Sequence, residues 1–226
     1  MNSSLVNQFV PATAAPLRPL RERVGLLARG ALVVGLAVSA AAAGAQASVT
    51  LYGGARGGGE FDDASASGST FKLDSGAAVS ASIDFLLDDG REAQLFYSFQ
   101  RSALPGRAFG QPADVSLNVS YLHLGGRVFF DGDPTQGGGY VVGGIGATFF
   151  APGLAGLSNE VRPSANLGVG YQWTLTRNIA LRAELRGYLT LINANGGFLC
   201  SGGCVVSISG KTLAQGEALL GVSVGF

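Results

Sequence analysis

The distribution of apolar residues constrains this chain most, because from residue 48 onward they fall at alternate positions and not in long runs. The last ten residues, E-A-L-L-G-V-S-V-G-F, place Leu220, Val222, Val224 and Phe226 two apart, with small or polar residues between them. A period of two is that of a β-strand with two different faces. No apolar run after residue 47 approaches the roughly 20 residues of a membrane helix, although the mean hydropathy is +0.32.

The pattern predicts eight strands, and the links between them alternate in length. The strands are 48–60, 76–87, 92–102, about 114–130, 139–150, 164–175, 178–192 and about 212–226. The links 61–75, 103–113, 151–163 and 193–211 are long, whereas 88–91, 131–138 and 176–177 are short. Short periplasmic turns and longer extracellular loops are typical of outer-membrane barrels. The predicted fold is therefore an all-β, eight-stranded antiparallel transmembrane up-and-down barrel; a soluble β-sandwich is the alternative.

The N-terminal segment reads as an export signal. A basic part, with Arg18, Arg21, Arg23 and Arg29, precedes the apolar stretch 30–43 and the small residues of A-Q-A. This pattern predicts a signal peptide over 1–47, cleaved between Ala47 and Ser48, and one barrel domain over 48–226. A retained anchor helix is the alternative, and it fits less well because the apolar stretch is short. The leader is also long, so a translation start further downstream is an open alternative.

Export bears on the two cysteines, which lie in C-S-G-G-C. An exported chain meets an oxidising compartment, so we expect a disulfide between Cys200 and Cys204 in preference to free thiols. A metal site would need more ligands nearby, and the chain has a single histidine. The sequence predicts no metal and no cofactor. With a formal net charge of +0 and no basic patch, it predicts no nucleic-acid partner either.

Polar residues occupy the register opposite to the apolar one, and this register should face the lumen. The predicted lumen charge network comprises Arg56, Glu60, Asp84, Arg182, Glu184, Arg186 and Glu217. An eight-stranded barrel is only wide enough for its interior to fill with side chains. Enclosed charges must then be paired, and we expect Glu217 to meet Arg56, Arg182 or Arg186. The expected result is a plug of ion pairs; a narrow gated path or a small polar ligand site is the alternative.

The fourth strand carries His123, the residue to be considered as a catalytic candidate. Its alternation predicts that Val115, Leu117, Val119 and Tyr121 face lipid, and this register carries His123 with them. A Ser–His nucleophile needs the hydroxyl within hydrogen-bond reach and a third group that orients the imidazole. Gly125 is the next residue on that face, so His123 is predicted to anchor the barrel near the headgroups. We predict no catalytic residue.

Several stretches resemble a known family. They are Y-L-H-L-G-G-R-V-F-F (121–130), Y-V-V-G-G-I-G-A-T-F-F (140–150), L-R-A-E-L-R-G-Y-L-T-L (181–191) and the terminal G-V-S-V-G-F. With the leader and the terminal aromatic, they resemble the small bacterial outer-membrane β-barrels, such as the OmpA transmembrane domain, OmpX and OmpW. The resemblance implies a location in the cell outer membrane, with the lipid bilayer as surroundings. It also implies that the barrel-assembly machinery reads the last strand through Val222, Val224 and Phe226.

The function expected from this resemblance is that of a structural or surface-interaction barrel with a side-chain-filled lumen. A narrow channel or transporter for small molecules, including hydrophobic ones, is the alternative. A lipid-modifying enzyme is the third class, and the absence of a Ser–His arrangement in the pattern disfavours it. No partner of the extracellular loops is predicted.

Overall fold

A computed structural model describes residues 46–62, 70–104, 113–130, 133–153, 156, 158–192 and 212–226. The strands are β1 (Ala47–Gly58), β2 (Glu60–Asp62), β3 (Thr70–Lys72), β4 (Gly76–Asp88), β5 (Arg91–Leu104), β6 (Val115–Phe129), β7 (Gly137–Pro152), β8 (Glu160–Thr174), β9 (Ile179–Leu191) and β10 (Thr212–Gly225). The described part of the chain contains no helix long and apolar enough to cross a membrane.

The eight long strands form a closed barrel in the order β1-β10-β9-β8-β7-β6-β5-β4. Each strand pairs antiparallel with the next along the chain, and β10 closes onto β1 from Ser48↔Gly225 to Gly58↔Gln215. Closure pairs both edges of every barrel strand, which is what a sheet in lipid requires. The predicted fold class, and the closure of the last strand onto the first, are confirmed.

A short hairpin, which the sequence pattern does not predict, interrupts the first long link. Strands β2 and β3 pair over three residues, from Glu60↔Lys72 to Asp62↔Thr70. The predicted first strand, 48–60, ends earlier because Gly58 and Gly59 adopt φ values of 84° and 95°. Glycine tolerates this left-handed conformation, which takes the chain out of the barrel strand. Glu60 therefore lies in the hairpin and not in the barrel wall.

The outside of the barrel is apolar and the inside is largely polar. Ile145 and Leu167, for example, point outward with 74% and 72% of their surface exposed. Aromatic side chains such as Tyr171 and Trp173 join the outward set, with ring centroids 4.8 Å apart. Such a surface would be unfavourable in water, and it is the lipid-facing band of a transmembrane barrel. The soluble-sandwich alternative does not account for a closed barrel with charged side chains inside.

The side chains of β6 that were predicted to face lipid point into the lumen instead. Val115, Leu117, Val119, Tyr121 and His123 are all buried in the lumen. Leu122 and Leu124 point outward instead, and Leu124 is paired with Leu95 on β5 and with Ile145 on β7. The prediction was wrong because both registers of this strand carry apolar residues, so the period alone did not tell which face meets lipid.

Candidate functional site in the barrel lumen

The buried charged side chains lie in the lumen, and the two ends of the lumen differ. The turn end carries Ala47, Phe226 and the links 89–90, 130–136 and 175–178, whereas the loop end carries the links 59–75, 105–114, 153–159 and 192–211. The buried charges of the described residues are four arginines and four carboxylates: Arg56, Arg127, Arg182, Arg186, Asp84, Glu92, Glu184 and Glu217. Formal charge is therefore balanced within this set, which we call the lumen network.

Arg127 lies at the centre of the network near the turn end. Its Nη1 is 2.6 Å from Glu92 Oε2, and its Nη2 is 3.3 Å from Glu184 Oε1 and 3.5 Å from Asp84 Oδ1. Its guanidinium also lies 4.6 Å from the centroid of the Tyr140 ring. One side chain thus holds carboxylates from β4, β5 and β9 together, across the full width of the lumen.

Two further arginines from β9 flank this centre. Arg182 Nη1 lies 2.6 Å from Asp84 Oδ2, and its Nε donates to Gln172 Oε1 at 2.7 Å. Arg186 Nη2 lies 2.6 Å from Glu184 Oε2. The carboxylates of Asp84 and Glu184 are therefore each shared between two guanidinium groups. This sharing offsets much of the cost of taking the charges out of water.

Two tyrosines complete the shell of Glu184. The hydroxyls of Tyr52 and Tyr140 donate to Glu184 Oε1 at 2.8 Å and 2.7 Å. Their rings lie against Gly221 and Gly170, where an added Cβ would come within 2.4 Å and 2.5 Å of ring carbons. These two glycines give the rings room to lie along the barrel wall and reach the carboxylate.

The second half of the network lies closer to the loop end. Arg56 Nη2 is 3.2 Å from Glu217 Oε1, and Ser98 Oγ donates to the same oxygen at 2.8 Å. The Tyr188 hydroxyl donates to Glu217 Oε2, while the Arg56 guanidinium lies 4.7 Å from the Tyr121 ring centroid. Because Arg56 and Glu217 are register partners on β1 and β10, this pair also bridges the seam that closes the barrel.

His123 lies inside the lumen, so its predicted position on the lipid face was wrong. Its Nε2 is 2.9 Å from Ser164 Oγ, and the imidazole stacks on Tyr121 with centroids 5.5 Å apart. Gly146 on β7 is paired with His123 on β6 and with Ser164 on β8, and a Cβ on this glycine would lie 2.8 Å from an imidazole carbon. Nδ1 has no hydrogen-bond partner among the described residues. The orienting group that a Ser–His nucleophile needs is therefore missing from the described arrangement.

Apolar side chains close the loop end of the lumen. Leu117, Phe150 and Leu213 have no exposed surface, and Leu73 and Ile192 retain 4% and 3%. They belong to one buried cluster with Tyr121 and Tyr188. A hydrated ion entering from the loop end would have to pass through this cluster before it reached the charges.

The turn end, in contrast, opens into a vestibule of about 310 Å³. Its lining includes Ser48, Thr174 and Asn178, and its inner residues include Asp84 and Arg182 of the lumen network. The vestibule thus leads to side chains that are already paired with one another. No group of three or more metal-ligating side chains occurs among the described residues.

The structure places the predicted site residues as follows. Arg56, Asp84, Arg182, Glu184, Arg186 and Glu217 lie in the lumen, whereas Glu60 lies in β2. Arg127 was missed because the face of β6 was assigned the wrong way round. Val222, Val224 and Phe226 are exposed on the outside, and their reading by the assembly machinery stays a prediction. Cys200 and Cys204 lie outside the described residues.

Comparison with known proteins finds chains of similar fold. No family model and no curated protein matches the sequence. The crystal structure of Neisserial surface protein A matches at 14% identity and a TM-score of 0.50, over 80% of this chain and 97% of that one. Outer membrane protein W of E. coli matches at 16% identity and a TM-score of 0.45, over 78% and 97%. OprG from Pseudomonas aeruginosa matches at 10% identity and 0.44, over 79% and 95%.

The likeness to Neisserial surface protein A, at 14% identity, speaks for the fold alone. It agrees with the closed eight-stranded topology and with the apolar outer face. The predicted resemblance to the small outer-membrane barrels, and the predicted outer-membrane location, are confirmed.

Proposed function

We propose that this chain, an eight-stranded barrel of the outer-membrane type, is a closed membrane anchor that holds its long links at the cell surface for a structural or surface-interaction role. The observation that carries the proposal is the lumen network, in which four arginines and four carboxylates are buried and mutually paired. A barrel of this size has no room for both such a network and a water-filled path.

The energetics of the network support a closed lumen. Passage of a solute would separate Arg127 from Glu92 and Glu184, or Arg56 from Glu217. Several buried pairs would have to open together, and buried charges that lose their partners are strongly destabilising. The apolar cluster at the loop end adds a dry constriction in series with the charges.

The long links give the barrel its means of contact. The chain between β9 and β10 runs from Leu191 to Thr212, and the β1–β4 and β5–β6 links are also longer than every turn, whereas the β7–β8 link, 153–159, has the same length as the β6–β7 turn, 130–136. In outer-membrane barrels the longer loops are extracellular. The proposal includes no catalysis, because the Ser164–His123 pair lies in the lumen with no orienting partner for Nδ1 among the described residues.

Single-channel recording in planar bilayers tests the proposal, using protein purified from outer membranes. The wild type is expected to give no discrete current steps, with insertion verified by heat-modifiable gel mobility. The matched variant Arg56→Ser/Glu217→Ser removes a cation and an anion together, so the charge balance is kept while the lumen is widened. Steps in the wild type would favour the passage of small molecules and overturn the closed-lumen function.

A further inference from the structure

The outer face of β5 carries an arginine at each end of its apolar stretch. Between Arg91 and Arg101 the outward residues are Ala93, Leu95, Tyr97 and Phe99. A strand rises about 3.4 Å per residue, so at a tilt of about 40° the ten steps from Arg91 to Arg101 climb about 26 Å, close to the apolar band of about 25 Å. Arg101 therefore lies where the lipid headgroups begin at the loop end.

The two arginines differ in their partners. Arg91 forms an ion pair with Asp88 at the β4–β5 turn. The side chain of Arg101 is exposed, and it makes no ion pair or hydrogen bond within the described part of the chain. A cation at the border of an apolar region attracts an anion more strongly than one in bulk water, because the effective dielectric constant is lower. The anionic partner of Arg101 is therefore expected outside the barrel itself.

The neighbouring strand β6 places two polar side chains beside Arg101. Asn118 is the register partner of Arg101, and Ser120 is the next outward residue towards the turn end. Ser120 Oγ accepts a hydrogen bond from the Tyr97 hydroxyl at 3.3 Å, whereas Asn118 Oδ1 has no hydrogen-bond partner among the described residues. These four residues, Tyr97, Arg101, Asn118 and Ser120, form a polar patch on an otherwise apolar wall, and we call it the headgroup patch.

Apolar surface continues from the headgroup patch towards the turn end. Ser120 is paired with Phe99 on β5 and with Phe149 on β7, and Leu122 follows with 41% of its surface exposed. A lipid whose headgroup lies at the patch would lay its acyl chains along these side chains. The surface is thus polar at headgroup level and apolar below it, which fits a lipid better than a soluble anion.

We infer that the headgroup patch binds the phosphate of a phosphorylated glycolipid in the outer leaflet. The longer loops of outer-membrane barrels are extracellular, so the patch faces that leaflet. The planar guanidinium of Arg101 can donate two parallel hydrogen bonds to phosphate oxygens. The side chains of Asn118 and Ser120 both donate and accept, so they suit the sugar hydroxyls next to the phosphate. This role is independent of whether the lumen is closed.

Native mass spectrometry of the barrel purified from outer membranes in a neutral detergent tests the inference. Bisphosphorylated lipid A, its dephosphorylated form and phosphatidylglycerol are added in turn, and the lipid-bound fraction is measured. The wild type is expected to retain the phosphorylated glycolipid and to bind the dephosphorylated form about tenfold more weakly, because a hydrogen bond between charged groups is lost. Equal retention of the two forms, or equal retention of phosphatidylglycerol, would overturn the assignment.

Two variants give a matched comparison, because they make the same change on the same face of β5 at opposite ends of the apolar stretch. Arg101→Gln is expected to bind the phosphorylated glycolipid about tenfold more weakly than the wild type. Arg91→Gln is expected to bind it as the wild type does. Heat-modifiable gel mobility verifies that both variants are folded. Unchanged binding in Arg101→Gln, or an equal loss in both variants, would overturn the inference.

Discussion

Replacing Arg127 with methionine removes the cation at the centre of the lumen network and keeps most of the volume of the side chain. Three carboxylates lie within 3.5 Å of its guanidinium, those of Asp84, Glu92 and Glu184. All three remain buried after the change, so the barrel would enclose an excess of negative charge. We expect Arg127→Met to lower the free energy of unfolding strongly.

The remaining arginines determine how much the free energy of unfolding falls in Arg127→Met. Arg182 stays 2.6 Å from Asp84 and Arg186 stays 2.6 Å from Glu184, so these two carboxylates keep a partner. Glu92 loses its close partner, because Arg182 Nη2 lies 3.9 Å away. Removing one partner of a buried pair costs about 3–5 kcal/mol. The lower end of that range, about 3 kcal/mol, is therefore expected.

Urea unfolding of the barrel in lipid vesicles, followed by heat-modifiable gel mobility, measures this change. With a urea dependence of roughly 1–3 kcal/mol per molar, a loss of that size moves the midpoint down by roughly 1–3 M. The matched control is Arg91→Met, which breaks the solvent-exposed pair with Asp88 at the β4–β5 turn. Exposed pairs contribute little, so no measurable shift of the midpoint is expected for the control.

Equal midpoints for the wild type and Arg127→Met would refute the reasoning, because they would mean that the buried carboxylates need no cation. A further variant, Arg127→Met/Glu92→Gln, neutralises the carboxylate that Arg127→Met leaves without a close partner. It is expected to recover part of the lost stability. A double variant that is less stable than Arg127→Met would contradict the electrostatic explanation.

Three more predictions concern the wall of the barrel. Gly170→Ala places a Cβ 2.5 Å from the Tyr140 ring and is expected to cost about 1–3 kcal/mol, measured by the same unfolding assay. Gly216→Ala, where a Cβ meets nothing within 4 Å, should be close to neutral, and equal effects would contradict the packing argument. Leu167→Arg puts a charge in the middle of the lipid-facing side of β8 and is expected to cost about 2–4 kcal/mol; an unchanged midpoint would argue that this face is not in lipid. Phe226→Ser should reduce the heat-modifiable fraction in outer membranes if the terminal aromatic is the assembly signal, and unimpaired insertion would remove that role.

The strands and their closure could be predicted from the sequence because a period of two and turn residues such as those at 88–91 are local signals. The hairpin of β2 and β3 could not, since each strand has three residues, too few for a period. The early end of β1 follows from the φ values of Gly58 and Gly59, which a run of glycines permits but does not require.

The face of β6 was the principal error, and one signal could have corrected it. The register of Tyr121 and His123 also contains Arg127, and an arginine on the lipid face of a barrel is destabilising. That cost argues for turning this register inward, where the structure has it. The apolar closure by Leu117 and Phe150 could not be inferred from β6 alone, because it depends on which strands meet at the loop end.

Thiol accessibility at two adjacent residues of β4 tests most directly the claim that the outer face is in lipid and the lumen is filled. Val79 points outward with 59% of its surface exposed, and Ser80 points inward with 6%. Each is replaced by cysteine in a Cys200→Ser/Cys204→Ser chain, and the protein in vesicles is treated with a charged water-soluble thiol reagent or a lipid-soluble maleimide. Val79→Cys is expected to react with the lipid-soluble reagent alone, and Ser80→Cys is expected to react with neither reagent. Rapid reaction of Ser80→Cys with the charged reagent would show a water-filled lumen, and reaction of Val79→Cys with it would show a wet outer face; either result would contradict the account.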